Sequence, residues 1–346
     1  MGAVLELICK AFDVDRQAAE PIFFADPFFD LSHKWLLFDG EQPVSTATVV
    51  PLEMQMGGWY MRCAGIAGVA TDPSQQGKGY ASRLLRDLLV ALPEMGYVAA
   101  ALVPNRRPIY ERLGFVMVGE RIRARLTPPI RGIGGPARWA SWEDADLLAR
   151  LYRLHGGHRL GALRRGEERW HYVLWQNPRI ALFGDPPAGY AVLSEEPGAL
   201  VVKEVMPPAP YALPPSLLDH QTISITGRVE DLDGWIAAGY GLIEPPVYED
   251  HFMARILDLP EVIRCLARLR PEMSNVVAAA DDIIPRNSIS LRFSEGTVMQ
   301  SDSAAEQVPI GNLTRALFCG AENDPIRSLG LFPPRRSFSL YPCDYF

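Results

Sequence analysis

From Val69 to Ser82 the chain reads Val69-Ala70-Thr71-Asp72-Pro73-Ser74-Gln75-Gln76-Gly77-Lys78-Gly79-Tyr80-Ala81-Ser82, a set of residues suited to holding an anion. Gly77 and Gly79 let the backbone approach a ligand closely. The N–H groups of residues 77 to 82 fall at the start of an expected helix, where they lack intrahelical partners and form the positive end of its dipole. Together they would cradle a pyrophosphate. Two elements must hold this turn. Before it, Cys63 to Thr71 is small and apolar and is stopped by Asp72-Pro73, since proline cannot donate to a sheet ladder. After it, Ala81, Leu84, Leu85, Leu88 and Leu92 recur at three- and four-residue steps while Arg83, Arg86 and Asp87 fall elsewhere, the period of an amphipathic helix.

Two common glycine-rich alternatives fit poorly. A P-loop needs Gly-x-x-x-x-Gly-Lys-Ser/Thr, and here Lys78 sits between the glycines. A dinucleotide fingerprint needs a third glycine where this chain has Ser82, together with an acidic ribose partner. The pattern Gln76-x-x-Gly79-x-Ala81 resembles the acyl-CoA pyrophosphate loop of the GCN5-related N-acetyltransferases (GNAT). On this loop alone, an ordinary strand-turn-helix whose glycines only cap stands as an equal reading.

A second motif follows. Gly96 ends the helix, and Tyr97 to Val103 is a short apolar run that reads as a buried parallel strand after a helical crossover. Then Asn105-Arg106-Arg107-Pro108 leads into Ile109-Tyr110-x-x-Leu113-Gly114-Phe115, a short helix capped by Gly114 that re-enters a strand. It resembles the second acetyl-CoA motif of the same superfamily, at that superfamily's spacing from the loop.

The chain of 346 residues is long enough for two or three domains. Its 48% hydrophobic and 22% charged residues are typical of globular proteins, and no apolar run reaches the roughly 18 to 20 residues that span a bilayer. Met1 to Phe12 carries Glu6 and Lys10 and lacks a basic start with a cleavage site, so a cytoplasmic protein is expected. A net charge of −7 speaks against nucleic acid and would welcome a cationic partner. The cysteines, Cys9, Cys63, Cys265, Cys319 and Cys343, are odd in number and scattered, which predicts buried free thiols rather than disulfides or zinc. His155, His158 and His171 lack cysteine or carboxylate support at ligand spacing and read as loop histidines, so no metal is expected.

The chain divides into three blocks. Residues 1–128 read as one α/β unit, with a helix near the start and strands at 34–38, 44–51 and 58–63, Asp39-Gly40 marking a hairpin turn. Residues 129–250 follow a Pro- and Gly-rich linker and form a second α/β layer with neither motif. Residues 251–346 form an α+β module: a strand leading into a helix, further strands near 288–293 and 296–300, and a helix at 310–318.

These blocks in sequence resemble the enhanced intracellular survival (Eis) family of N-acetyltransferases. The resemblance implies an α/β and α+β architecture: tandem GNAT folds, the second degenerate, then a sterol-carrier-protein-like domain. It implies transfer of an acetyl group from acetyl-CoA to a primary amine of a small molecule or lysine, in a homo-oligomer, trimeric or hexameric. The competing class is a non-catalytic CoA- or lipid-binding protein. Carried over by residue, the family pattern puts acetyl-CoA backbone contacts on Val69, Ala70 and Thr71, and the pyrophosphate on Gln76, Gly77, Lys78, Gly79, Tyr80, Ala81 and Ser82. Asn105 and Arg106 would line the pantetheine end, Tyr110 would be the general acid, and the α-carboxylate of Phe346 the general base. Two departures stand out: the usually arginine-rich loop has Lys78 as its one cation, and the penultimate position, acidic in the family, is Tyr345. For the amine itself, Phe24, Asp26 and Trp35 are candidates through cation–π contact and charge, with core packing as the competing reading.

Overall fold

The computed structural model describes residues 2–24 (backbone only from 21), 30–129, 136–206, 213, 222–228, 231–302, 305–320, 326 and 330–332. In chain order the elements are α1 (Gly2–Phe12), α2 (Arg16–Phe24), β1 (Lys34–Asp39), β2 (Gln42–Gln55), β3 (Tyr60–Thr71), α3 (Tyr80–Ala91), β4 (Ala99–Leu102), α4 (Arg107–Glu111) and β5 (Val116–Thr127). Next come β6 (Ala137–Trp139), α5 (Ala145–His155), α6 (Glu167–Gln176), β7 (Ile180–Phe183), β8 (Gly189–Glu196), β9 (Ala199–Met206), β10 (Ile223–Gly227), α7 (Leu232–Ala237) and β11 (Gly241–Leu242). The last are β12 (Val247–Ile256), α8 (Leu259–Leu269), β13 (Asn275–Ala280), β14 (Ser290–Ser294), β15 (Thr297–Gln300), β16 (Gln307–Pro309) and α9 (Ile310–Cys319).

One large mixed sheet runs through the first two blocks in the order β1-β2-β3-β4-β12-β5-β10-β9-β8-β7-β6, with β11 beside β5. The tandem arrangement shows in a repeated motif: β1-β2-β3 is an antiparallel meander whose last strand pairs in parallel with β4, and β7-β8-β9 is another whose last strand pairs in parallel with β10. Alternation along the strands separates the two faces of the first half. Ala100 and Leu102 of β4 meet Leu84, Leu85, Leu88 and Leu89 of α3. Ala99 and Ala101 face the opposite side, where they join Val262 and Ile263 of α8, Leu313 and Leu317 of α9, and Phe293 of β14. The last block, with its own sheet β15-β14-β13-β16, thus shares its core with the first.

Several expectations are revised. The strands expected at 58–63 and 63–71 are one, β3, because Cys63, Ala64 and Gly65 stay buried and laddered with no turn between them. Position 251, the expected start of the third block, falls inside β12, which enters the first sheet between β4 and β5. His155 and His171 are not loop residues: His155 ends α5, and His171 lies on α6 with its ring stacked on Trp142 at 4.3 Å. Of the described cysteines only Cys63 is fully buried, and burial pushes its thiol well up.

His251 sits half-buried on β12 with its Nε2 3.4 Å from Arg121 Nη1. Burial first, and the Arg121 charge second, bring its pKa from the ordinary 6.5 down to about 4. The unfolded chain takes up this proton near pH 6.5 while the folded chain refuses it, so the contribution to stability is present above that pH and is lost as the pH falls toward 4. Urea midpoints at pH 7 and 4.5 are expected to differ less in His251→Gln than in the parent protein.

Candidate active site

The cleft is built where β3 leaves its neighbours. Its parallel pairing with β4 stops at Gly65↔Ala101, yet β3 runs on to Thr71, so the two strands diverge. On the other side, Thr48 pairs with Ala67 and Thr46 with Ala70, so Ala47 opposes two residues in a bulge. Gly68, at φ 56, makes it possible, and the close approach of Ile8 from α1 leaves little room for a side chain there. Past the bulge Val69, Ala70 and Thr71 line the cleft.

The glycine turn is fixed at its entry by Asp72, whose carboxylate accepts from Ser74 N at 2.9 Å and Ser74 Oγ at 2.6 Å, bonds that hold its pKa below the usual range. Gly77 and Gly79 have φ of 83 and 82, and a Cβ on either would meet nothing within 4 Å. Neighbouring packing therefore does not demand these glycines; the left-handed backbone does. Gly79 is the N-cap of α3 and provides no side-chain cap, so the first N–H groups of the helix are left for another acceptor. Gln76, Gly77, Gly79, Tyr80, Ala81 and Ser82 line the cleft. Lys78 does not: its Nζ turns to Gln75 Oε1 at 2.6 Å. Tyr80 reaches across the loop, its hydroxyl donating to Asp39 Oδ2 at 2.5 Å, which ties the start of α3 to the β1–β2 hairpin.

The far wall is Asn105, Arg106 and α4, which presents Ile109 and Tyr110. Tyr110 is 5% exposed and packs edge-on against Phe115, with ring centroids 6.1 Å apart. Burial raises its pKa, so the hydroxyl keeps its proton through neutral pH. The cleft has a volume of about 290 Å³. Of the described residues that line it, none is Asp, Glu or His.

Sequence reasoning missed four lining residues, Ala11, Phe12, Gln75 and Ile109. Gln75 and Ile109 lie inside the motifs, whereas Ala11 and Phe12 come from the end of α1, and nothing in their local sequence links them to the glycine turn. Trp35 is half-buried on β1 against the core that contains Leu85 and Tyr110, and is not among the lining residues. The side chain of Phe24, and Asp26 and Phe346 entirely, lie outside the described residues.

In the second half the same strand divergence is present, with a bulge that leaves Lys203 between the pairs Val192↔Glu204 and Leu193↔Val202. There Glu204 is fully buried in a bidentate pair with Arg165, at 2.7 and 2.8 Å, and accepts from Tyr190 Oη at 2.5 Å. The gap beside β9 and β10 holds about 30 Å³, a tenfold smaller space than the first.

Residues 1–118 match the family described as the acetyltransferase (GNAT) domain. No curated protein matches the sequence. Among solved structures, a probable N-acyltransferase of unknown function from Enterococcus faecalis V583 superposes with a TM-score of 0.80 at 17% identity, covering 100% of this chain and 97% of that one. A GCN5-related N-acetyltransferase from Kribbella flavida gives 0.77 at 20% identity, covering 100% and 95%. Eis1 from Mycobacterium abscessus gives 0.69 at 14% identity, covering 99% and 96%. At such identities these likenesses speak for the fold, a tandem acetyltransferase α/β architecture, along nearly the whole chain. Residues 1–118 are an acetyltransferase (GNAT) domain, and by that domain the chain is an acyltransferase.

Proposed function

We propose that the chain is an Eis-like N-acetyltransferase that uses acetyl-CoA to acetylate a primary amine of a small molecule or a lysine. One observation carries this reading: the strand end 69–71, the glycine turn and Tyr110 converge on a single cleft. The turn and the first N–H groups of α3 would receive the pyrophosphate. The bulged end of β3 would lie along the pantetheine arm. Acyl transfer then needs a neutral amine attacking the thioester carbon, with the C–S bond breaking and a proton reaching the departing sulfur. Tyr110 supplies that proton: burial raises the pKa of its phenol and so keeps it protonated, ready to donate to a thiolate whose conjugate acid lies near 8.5. With no carboxylate or imidazole among the described lining residues, the proton from the amine needs an acceptor from elsewhere. The α-carboxylate of Phe346 is proposed for it on the resemblance alone. The block after β12 is proposed as the sterol-carrier-protein-like domain.

The test is acetyl-CoA consumption with polyamines, aminoglycosides and lysine peptides, alongside calorimetric binding of CoA. Turnover on one of these amines is expected, and CoA binding with turnover on none would leave only a CoA-binding module. Two variants probe the cradle. Gly79→Ala adds a methyl group to a turn that lines the cleft and strains a left-handed residue by about 1–2 kcal/mol, so CoA affinity is expected to fall about tenfold or more, beyond any change in melting temperature. Asp39→Asn weakens the bond that tethers Tyr80, and the KM for acetyl-CoA is expected to rise severalfold with kcat unchanged.

A further inference from the structure

Strand β12 grips the helix that carries Tyr110 at both ends, from the far side of the chain. At the start of α4, Arg107 Nη1 donates to Asp250 Oδ2 at 3.3 Å, an exposed and therefore weak pair. At the other end, Arg255 is 1% exposed and donates Nη1 to the Leu113 carbonyl at 2.7 Å and Nη2 to Asp281 Oδ1 at 2.5 Å. Gly114 leaves the space the guanidinium occupies: a Cβ there would lie 1.7 Å from Arg255 Nη1. Asp281 is itself held, accepting from Ile283 N at 2.9 Å, Ile284 N at 3.1 Å and Asn287 Nδ2 at 3.0 Å. A fixed carboxylate beyond β13 thus fixes a guanidinium on β12, which fixes the carbonyl of Leu113. From there the path to the cleft is short, because the Tyr110 carbonyl accepts from both Leu113 N (2.9 Å) and Phe115 N (3.1 Å).

A buried ion pair of this kind is poorly explained by stability, since apolar residues of equal volume often serve as well. Arg255 Nε, moreover, is buried with no acceptor among the described residues. What the pair supplies is direction: two donors of one planar group, set at a fixed angle between Leu113 and Asp281. We propose that Arg255 is a positioning residue for Tyr110, through which the last block of the chain sets the aim of the phenol into the cleft. Its consequence for catalysis rests on the proposed role of Tyr110 as general acid.

The experiment uses the full chain labelled with 3-fluorotyrosine, with the Tyr110 and Tyr80 resonances assigned from Tyr110→Phe and Tyr80→Phe. Arg255→Lys keeps the charge but replaces the planar fork with a single nitrogen. The Tyr110 signal is expected to shift or broaden while that of Tyr80 stays, kcat to fall at least tenfold, and CoA affinity to stay within twofold. Adding Arg255→Lys to Tyr110→Phe is expected to change kcat less than twofold, because a residue that acts through another has no further effect once that residue is gone. An unmoved Tyr110 signal, or losses that multiply in the double variant, overturns the proposal. A moved signal with unchanged kcat sustains the positioning and overturns the acid role instead. Asp281→Asn, which keeps the side-chain volume but loosens the hold on Arg255, gives the same readouts if Arg255→Lys fails to fold.

Discussion

Replacing Tyr110 by Phe is expected to lower kcat for acetyl transfer by roughly 10²-fold or more, the usual contribution of a positioned acid, while CoA binding stays within twofold. The phenyl ring keeps the edge contact with Phe115 and fills the same site in the core. What is lost is one hydroxyl on the wall of the cleft, needed only as the thiolate leaves. An interaction made only in the transition state is read in kcat and not in ground-state affinity. Because burial raises the pKa of this phenol, its acid form persists above pH 10, and the parent enzyme is expected to hold its rate on the alkaline side until that ionisation. That limb should vanish from the kcat profile of the Phe variant. A loss smaller than fivefold, measured in single turnover with saturating amine, would assign the proton transfer to another donor.

Gly114→Ala is expected to be strongly destabilising. Two costs combine. At φ 76 an L-residue is strained by about 1–2 kcal/mol. The new Cβ also collides with Arg255 Nη1 and forces the guanidinium off Asp281. Breaking a buried pair by displacing one partner costs roughly 3–5 kcal/mol, a large share of the 5–15 kcal/mol that holds a typical domain. The expected result is a fall in melting temperature of several degrees or more, or loss of the folded protein. Gly77→Ala serves as the control: it has a similar φ, yet open space around its Cβ, and should lose only the strain. If the two variants melted together, the Arg255 contact would not be the constraint on Gly114.

Much of the cleft is legible in the sequence because its parts are local. The three- and four-residue recurrence of leucines through α3 needs only a helix and one apolar face, and Leu84, Leu85 and Leu88 are buried as that pattern requires. Asp72-Pro73 stops a strand, Gly79 starts a helix, and Gly114 ends one, each through its own backbone. The presence of glycine at 114 is thus readable from the turn. That the guanidinium of Arg255 occupies the place of its side chain is not. The helix α6 escaped notice because its buried residues, Trp170, Val173 and Leu174, are too few among charged and aromatic neighbours to show a clear period.

What the sequence by itself determined is therefore the set of elements and turns around the anion cradle, since helical period, strand termination and left-handed glycines are fixed by interactions within a few residues. Only the tertiary structure decided what surrounds them. Phe12 came to the mouth of the cleft through the packing of α1 on β2 and β3. Tyr80 found Asp39 across a hairpin. Most of all, β12 went to the centre of the first sheet, because the long-range ladders to β4 and β5 bury Phe252, Met253, Ala254 and Ile256 on both faces. Pairing between strands so distant in sequence depends on which edges lie open when the sheet assembles, and no local period records that choice.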